Sequence, residues 1–328
     1  MMNEIIQTLP QVLIDGLVLG AVYAIVALGY TMVYGILELI NFAHGEIFMV
    51  GAFIGTAVLI TFTGFGLFSS LPAILVLAVV LIIASTLTGF LGMGIERVAY
   101  RPLRNAPKLI TLITAIGISF LLQDLVRFIA ELKEGNYIIT GPSLFSGQHQ
   151  IKTNSILSAL GDAQIKSASI IILVVAVVMM ISLDYFINKT KWGTAMRAVA
   201  QDRETASLMS VNVNKVISLT FFLGSALGGA TGVLFALQYN TIDPYIGFIL
   251  GLKAFTAAVL GGIGNIRGAM VGGFLIGVVE MFAAANLSTI THGVFPSEYK
   301  DVFAFGILIL VLIFKPEGLF GKPVAEKV

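Results

Sequence analysis

The chain has 328 residues, of which 57% are hydrophobic, only 11% are charged and 35 are glycine. A soluble globular domain carries about 25% charged residues, so this composition excludes a soluble protein and predicts a surface that faces a lipid bilayer. The net charge of +1 gives no support for a nucleic-acid partner, and the lack of cysteine excludes disulfides and thiolate metal sites.

Catalytic and cofactor signatures are missing from the sequence. The three histidines, His44, His149 and His292, are scattered without the HExxH spacing of a zinc site, so we predict no metal and no cofactor. No GxxxxGKS or GxxxxGKT phosphate loop occurs, so any ATP that powers this protein must be hydrolysed by another chain. We therefore predict that the chain is not an enzyme.

Nine apolar runs approach the roughly 20 residues that a helix needs to cross the hydrocarbon layer of a bilayer. They predict an all-α polytopic membrane protein, a glycine-rich bundle of about nine transmembrane helices that forms one domain over residues 1–328. The predicted spans are 9–35, 42–63, 71–94, 109–130, 168–188, 216–237, 246–262, 268–285 and a shorter one at 302–315.

Basic residues determine the predicted orientation, because loops rich in Lys and Arg stay in the cytoplasm. The first 96 residues contain no Lys or Arg, whereas residues 97–108 contain four and residues 189–215 contain five. Both segments are therefore predicted to be cytoplasmic. Counting spans from them puts the N-terminus outside, residues 131–167 in an external loop and the C-terminus in the cytoplasm.

Glycines recur four residues apart in several of these runs. Such GxxxG spacing places two positions without a Cβ on one helix face, which allows helix backbones to approach closely inside a membrane. We predict that these faces pack against neighbouring helices. The pairs include Gly16/Gly20, Gly51/Gly55, Gly224/Gly228/Gly232 and Gly273/Gly277.

A polar stretch, residues 38–46, separates the first two predicted spans. It contains Glu38, Asn41, His44 and Glu46. Polar and ionisable residues inside a membrane are rare and mark functional sites, so these four are candidates for a substrate pathway. Two interpretations remain open: a helix break that dips into the membrane, or a cytoplasmic turn that is polar because it is solvated.

A second candidate is the stretch of residues 252–273, in which glycines break an apolar run. Asn265 and Arg267 lie at the break and are further candidates for the substrate pathway. A nucleotide site is not predicted, because the glycines are not part of a soluble βαβ unit. They predict either a broken membrane helix whose ends coordinate substrate or gate a path, or a tight turn between two helices. The glycines of the predicted break are Gly261, Gly262, Gly264 and Gly268.

The cytoplasmic segment 189–215 is predicted to contain two short helices. One covers Gly193–Ala200, and Asp202 is a suitable N-cap for a second helix that ends at Met209. Small residues alternate with Leu208 and Met209, which gives this elbow, residues 193–209, a modest apolar face. We interpret it as a docking and coupling element for a cytoplasmic partner; the alternative is a solvated loop. Its coupling candidates are Gly193, Arg197, Asp202, Ala206, Leu208 and Met209.

Long, distinctive segments cover almost the whole chain: YGILELINFAHGEIFM, IERVAYRPLR, TAIGISFLLQ, RAVAQDRETASLMSVNVNKVISLTF, LKAFTAAVLGGIGNIRGAMVGG and the ending KPEGLFG. In this order they resemble the LivH-type permease subunits of bacterial branched-chain amino-acid ABC importers. The resemblance implies a helical transmembrane domain in the bacterial inner membrane. It also implies three kinds of partner: a homologous second permease, two cytoplasmic ATPase subunits that use the ATP, and an external solute-binding protein. By the same resemblance, residues 193–209 match the loop that contacts the ATPase.

The substrate implied by the resemblance stays open between two classes. Permeases of related importers for urea and short-chain amides carry a stretch very similar to NFAHGE. The YRPLR loop and the LKAFTAAVLGGIG run favour leucine, isoleucine and valine.

Two other functional classes make different demands on the sequence. A secondary transporter coupled to an ion gradient would need paired acidic residues in the middle of the membrane. The available candidates, Asp15, Asp124 and Glu280, are all expected near span ends. An intramembrane enzyme would need a nucleophile with a base, and the sequence shows no such cluster.

Overall fold

The computed structural model describes residues 2–37, 40–66, 71–145, 147–151 and 163–321. The helices in these ranges are α1 (Met2–Leu37), α2 (Ala43–Gly64), α3 (Ala73–Ile95), α4 (Lys108–Glu134), α5 (Ser167–Lys189), α6 (Lys191–Gln201), α7 (Arg203–Leu208), α8 (Val213–Tyr239), α9 (Ile246–Gly261), α10 (Ile266–Ile290) and α11 (Lys300–Phe314). A π-helical turn, Glu96–Tyr100, continues α3, and a 3-10 turn, Ser297–Tyr299, precedes α11. The described residues also form four short strands: β1 (Ile139–Thr140), β2 (Gln148–Ile151), β3 (Ala163–Lys166) and β4 (Thr241–Ile242).

Seven helices of the described ranges are long and apolar enough to cross a membrane: α1, α2, α3 with its π-helical turn, α4, α5, α8 and α10. This confirms the predicted all-α polytopic membrane protein. The predicted spans 246–262 and 302–315 correspond to α9 and α11, which have 16 and 15 residues. All nine predicted runs are therefore apolar helices, but these two are shorter than the usual spanning length.

Helix ends follow local sequence. Pro107 precedes α4, because proline fits the start of a helix but not its interior. The left-handed residues Gly135 and Asn240, with φ of 66° and 57°, close α4 and α8. The chain beyond them forms β1 and β4, which pair antiparallel with Ile139 opposite Ile242. β2 and β3 form a second antiparallel pair.

Contacts divide the chain into two compact units that are interleaved along the sequence. The first unit is formed by Met1–Ala27, Phe145–Val178 and Lys253–Val328, and the second by Leu28–Leu144 and Met179–Leu252. The helices α1, α5 and α9 each contribute residues to both units. Each unit is therefore built from segments that are distant in sequence.

In the first unit, the N-terminal half of α1 packs against α10 through glycines. A Cβ on Gly16 would lie 2.8 Å from the Cα of Val278, and one on Gly20 would lie 2.7 Å from the Cα of Phe274. From the other side, Gly277 faces the backbone of Gly20. No larger residue fits such contacts, so these two predicted GxxxG faces are confirmed as packing faces.

In the second unit, α8 packs against both α2 and α3. Gly51 of α2 meets the backbone of Gly229, and a Cβ on Gly55 would lie 2.6 Å from the Val233 side chain. Backbones approach closely where glycine leaves room, which confirms the packing predicted for this pair. The start of α2, where the sequence predicts a functional site, is buried as well.

Candidate functional site

The predicted polar stretch lies between α1 and α2 and continues into the first turn of α2. Asn41, His44 and Glu46 are each at most 2% exposed, which does not fit a solvated turn. Glu38 lies outside the described residues. The structure therefore favours the other interpretation, a helix break whose polar residues are enclosed by protein.

The start of α2 contacts the neighbouring helix α4 far from the first residue of α4. The Ser119 hydroxyl donates a hydrogen bond of 3.1 Å to Glu46 Oε1. Ser119 follows Lys108, the first residue of α4, by about 16 Å of helix rise, which is close to half of a hydrocarbon layer of about 30 Å. With α4 spanning the bilayer, Glu46 lies near the membrane centre.

The buried polar side chains of this stretch have separate partners. The Tyr100 hydroxyl donates a hydrogen bond of 2.6 Å to Asn41 Oδ1, which ties the helix break to the end of the π-helical turn. The His44 ring packs edge-on against Tyr30, with ring centroids 4.8 Å apart. The structure thus brings three predicted residues into one buried region but directs each to a different neighbour.

Glu46 has an incomplete set of partners. Its Oε1 accepts the Ser119 hydrogen bond, whereas its Oε2 is buried without a hydrogen-bond partner in the described part of the chain. No described Lys or Arg forms an ion pair with it. Its place in the first turn of α2 puts the carboxylate at the positive end of the helix dipole, which offsets part of the cost of burial.

Glycines set the space beside Glu46. A Cβ on Gly247, in the first turn of α9, would lie 2.5 Å from Glu46 Oε2. A Cβ on Gly45 would overlap the Gly247 carbonyl. Larger residues at these two positions would displace the carboxylate or push α2 away from the start of α9.

The predicted glycine break lies between α9 and α10 and forms a tight turn. Gly262 and Gly264 have φ of 99° and 92°, a conformation that favours glycine. Gly261 and Gly268 approach so closely that a Cβ on either would overlap the backbone of the other. This supports the second interpretation, a turn between two helices that glycine keeps short.

Asn265 caps the start of α10 and also binds the segment that follows α11. Its Oδ1 accepts a hydrogen bond of 3.1 Å from the Gly268 N–H, and its Nδ2 donates one of 2.8 Å to the Phe320 carbonyl. Arg267 is exposed. Because the amide of Asn265 is used to hold the turn, the structure gives its predicted role in a substrate pathway no support.

A segment after α11 completes the C-terminal end of α9. The Leu319 N–H donates to the Leu260 carbonyl at 2.7 Å, and the Phe320 N–H donates to the Gly261 carbonyl at 3.2 Å. Gly318, with φ of 76°, packs against the backbone of Gly262. The motif KPEGLFG thus closes a helix end whose carbonyls would otherwise lack donors.

The first unit contains a buried charge cluster that the sequence analysis missed. Lys253 in α9 is 5% exposed, and its Nζ lies 2.7 Å from Glu280 Oε1 and 2.7 Å from Asp301 Oδ1. The Tyr23 hydroxyl donates a hydrogen bond of 2.7 Å to Glu280 Oε2. Lys300, at 3.7 Å from Glu280 Oε1, completes the cluster. The Glu280 carboxylate thus links α10 to α1, α9 and α11.

The expected position of Glu280 near a span end is wrong. α10 runs to Ile290, five residues beyond the predicted end of that span, so Glu280 lies inside the helix and is 2% exposed. A signal for this site was present in the sequence, because Lys253 is the single charged residue of the apolar run 246–262. A lysine in such a run needs a carboxylate partner.

The elbow folds as the sequence predicts, as the two short helices α6 and α7. Asp202 caps α7: its Oδ1 accepts hydrogen bonds from the Glu204 N–H at 2.8 Å and the Thr205 N–H at 3.1 Å. Gly193 lies so close to the Ile187 carbonyl that a Cβ there would overlap it. The structure therefore confirms the predicted N-cap and the helical elbow.

The inner face of the elbow packs on the second unit itself. Met196, Val199 and Ala206 join a buried apolar cluster that includes Ile36 of α1 and Phe221 of α8. The interpretation as a solvated loop is therefore wrong. Ala206, one of the predicted coupling residues, is 4% exposed, so it fixes the elbow to the second unit and does not offer a side chain to a partner.

The outer end of the elbow is exposed and apolar. Leu208 and Met209 are 84% and 76% exposed. Arg197, the last of the six predicted coupling residues to be described, donates a hydrogen bond to the Ile187 carbonyl and so attaches α6 to the end of α5. Of the predicted coupling residues, only Leu208 and Met209 offer apolar side chains to a partner.

A second missed cluster surrounds Glu96, which is fully buried at the start of the π-helical turn. Its carboxylate forms ion pairs with Arg101, at 3.2 Å, and with Arg104, and it accepts a hydrogen bond of 2.7 Å from the Ser218 hydroxyl. Arg104 also donates to Asn214 Oδ1 at 2.6 Å. Burial lowers the pKa of Arg104, an effect that the Glu96 charge opposes. The cluster holds the start of α8 next to the end of α3.

Comparison with known proteins places the chain in one family. The family model for the permease component of branched-chain amino acid transport systems matches residues 12–312. The permease protein LivH of the high-affinity branched-chain amino acid transport system of Salmonella typhimurium is 44% identical over 318 residues, which are 97% of each chain.

Two further relatives extend this comparison. The corresponding protein BraD of Pseudomonas aeruginosa is 45% identical over 327 residues, which are 100% of each chain. A probable branched-chain amino acid transport permease protein LivM of Methanocaldococcus jannaschii is 25% identical over 190 residues, or 56% of this chain and 55% of that protein. The chain therefore belongs to the family of permease components of branched-chain amino acid transport systems.

Proposed function

We propose that this chain is the membrane permease subunit of an ABC importer that carries leucine, isoleucine and valine into the cell. The observation that carries the proposal is the relationship over the full chain to permeases named for high-affinity branched-chain amino acid transport. A related importer of urea or short-chain amides is the alternative, because the stretch around Asn41 does not separate the two substrate classes.

The proposed complex lies in the bacterial inner membrane, with this chain in the multi-pass orientation inferred from its basic loops. Two cytoplasmic ATPases would supply the energy, because the sequence has no phosphate loop. A homologous second permease is supported by the similarity to a LivM protein. An external solute-binding protein would deliver the substrate.

In this proposal, the elbow couples the ATPases to the membrane helices. Leu208 and Met209 are the contacts offered to the ATPase, and Met196, Val199 and Ala206 fix the elbow to α1 and α8. Movement of a rigidly packed elbow would be passed directly to those helices, whereas a loose loop would absorb it. Asp202 and Arg197 keep the elbow helical and attached.

The proposal is tested by reconstitution. The chain is co-expressed with its second permease and ATPases, placed in proteoliposomes and supplied with binding protein and radiolabelled leucine or urea. We expect leucine uptake that depends on ATP, and neither uptake nor ATP hydrolysis by the chain alone. Uptake of urea without leucine would select the alternative substrate class. Uptake that needs an ion gradient and no ATP would instead indicate a secondary transporter.

A further inference from the structure

An apolar cavity lies between α2 and α4 in the second unit. It has a volume of about 430 Å³ and is lined mainly by aliphatic and aromatic side chains. Its walls include Val50, Phe53, Leu122 and Val126. The cavity is large enough for a side chain of the size of leucine, since small-molecule sites in proteins begin at about 300 Å³.

The cavity ends one helical turn from Glu46. Val50 follows Glu46 by four residues in α2, and Leu122 follows Ser119 by three residues in α4. At 1.5 Å of rise per residue, the Glu46–Ser119 hydrogen bond therefore lies about 5–6 Å beyond the apolar walls along both helices. At the opposite end, the lining reaches Lys133 in the last turn of α4.

The buried carboxylate of Glu46, one helical turn beyond the residues that line the cavity, is only partly satisfied. Glu46 Oε2 is buried without a hydrogen-bond partner, and no described Lys or Arg forms an ion pair with the carboxylate. A buried carboxylate is stable when a cation or several donors satisfy it, and Ser119 supplies only one donor. An ammonium group would provide both the opposite charge and the missing donors.

We propose that Glu46 binds the ammonium group of the transported amino acid while the aliphatic side chain of the substrate lies against Val50 and Leu122 in this cavity. The four bonds from the amino nitrogen of leucine to its methyl carbon span about 5 Å, and a hydrogen bond of about 2.8 Å joins that nitrogen to the carboxylate. The methyl group can therefore reach about 8 Å from Glu46, which places it beside the apolar walls that begin about 5–6 Å away. This inference rests on the proposed function for the identity of the substrate. It adds the site that recognises the substrate inside the permease.

The first test removes the charge of Glu46 in the complete reconstituted importer. We expect Glu46→Gln to lower leucine uptake per assembled complex by about tenfold or more, the effect of losing one charge-assisted hydrogen bond. The matched control is Asp124→Asn, which also replaces a carboxylate by an amide but at an exposed position of α4 that does not line the cavity, and it is expected to retain most of the uptake. Equal uptake by Glu46→Gln and the wild type would overturn the role of this residue.

The second test fills the cavity. Val126 is partly buried and lines the cavity, so Val126→Phe narrows it without changing any charge. We expect the ratio of leucine uptake to valine uptake to fall by about tenfold, because the narrowed cavity excludes the leucine side chain more strongly than the smaller valine side chain. The matched control is Leu121→Phe on the same helix, where Leu121 is 64% exposed and does not line the cavity.

The outcomes separate this inference from the proposed function. Absence of branched-chain uptake in the wild-type complex would defeat the proposed function itself. Wild-type uptake together with an unchanged leucine-to-valine ratio in Val126→Phe would overturn the site alone, as would a lipid acyl chain found in the cavity of the purified complex. If Glu46→Gln does not assemble, the ratio of leucine uptake to valine uptake in Val126→Phe decides whether the cavity binds the substrate.

Discussion

Glu280 in the first compact unit and Glu46 in the second are both buried in membrane helices, but they differ in how their charge is satisfied. Glu280 has Lys253 at 2.7 Å, a more distant Lys300 and the Tyr23 hydroxyl. Glu46 has one serine hydroxyl and an oxygen without a hydrogen-bond partner. The first arrangement joins helices into a fixed structure, whereas the second leaves the capacity to bind a cation. Burial alone therefore does not identify a functional carboxylate; its partners do.

The largest expected effect comes from removing the cation of the satisfied cluster. Lys253→Met leaves Glu280 and Asp301 facing each other without their buried lysine, and we expect a loss of about 3–5 kcal/mol of stability. The thermal unfolding midpoint of the purified protein and its yield in membranes measure this loss. Lys300→Met is the control, because Lys300 is 3.7 Å from Glu280 and 38% exposed. If both variants unfold alike, Lys253 does not hold the cluster together.

A slightly smaller effect is expected when an unpaired charge is introduced into the elbow. Ala206→Glu buries a carboxylate in an apolar cluster, which should destabilise the packing of α7 by about 3 kcal/mol. Protection of the elbow from proteolysis is the measurement. Leu208→Glu, only two residues away and exposed, should leave this protection intact and instead reduce co-purification of the ATPase. Normal protection in Ala206→Glu would show that the elbow does not depend on its buried face.

Neutralising each of the two glutamates in turn should change the stability of the protein by different amounts. Glu280→Gln weakens an ion pair, so we expect a loss of about 2 kcal/mol, whereas Glu46→Gln removes an unpaired charge and should change stability by less than about 1 kcal/mol. Thermal unfolding of the two variants under the same conditions tests this. Equal destabilisation would mean that Glu46 is also a structural carboxylate.

The smallest effect is expected from cysteines that report the orientation of the helices. The chain has no cysteine, so single substitutions are unambiguous labels. Gln148→Cys should react with an impermeant reagent added outside, and Gln201→Cys only after the membrane is opened, both without loss of uptake. The reverse pattern would invert the orientation inferred from the basic loops and would place the elbow outside.

Local signals in the sequence predict much of this fold. The apolar runs, the glycine faces and the Asp202 cap depend on residues a few positions apart, and they are confirmed. The carboxylate partners of Lys253 and the contact of Glu96 with Ser218 could not be predicted, because they come from helices that are distant in sequence. The inward direction of Ala206 has the same origin, since the surface that buries it includes Ile36 of α1. The polar residues between the first two apolar runs predict the region that contains Glu46. Only the packing of the helices shows that its Oε2 lacks a hydrogen-bond partner.

The closure of α9 by the segment after α11 imposes an order on biosynthesis. The carbonyls of Leu260 and Gly261 receive their donors from Leu319 and Phe320, which leave the ribosome only after α10 and α11 have been made. Until then the last two carbonyls of the nascent helix α9 lack these donors. Translation that stops before Leu319 would therefore release a chain whose helices are all present but whose first unit is unfinished, a ready substrate for membrane proteases.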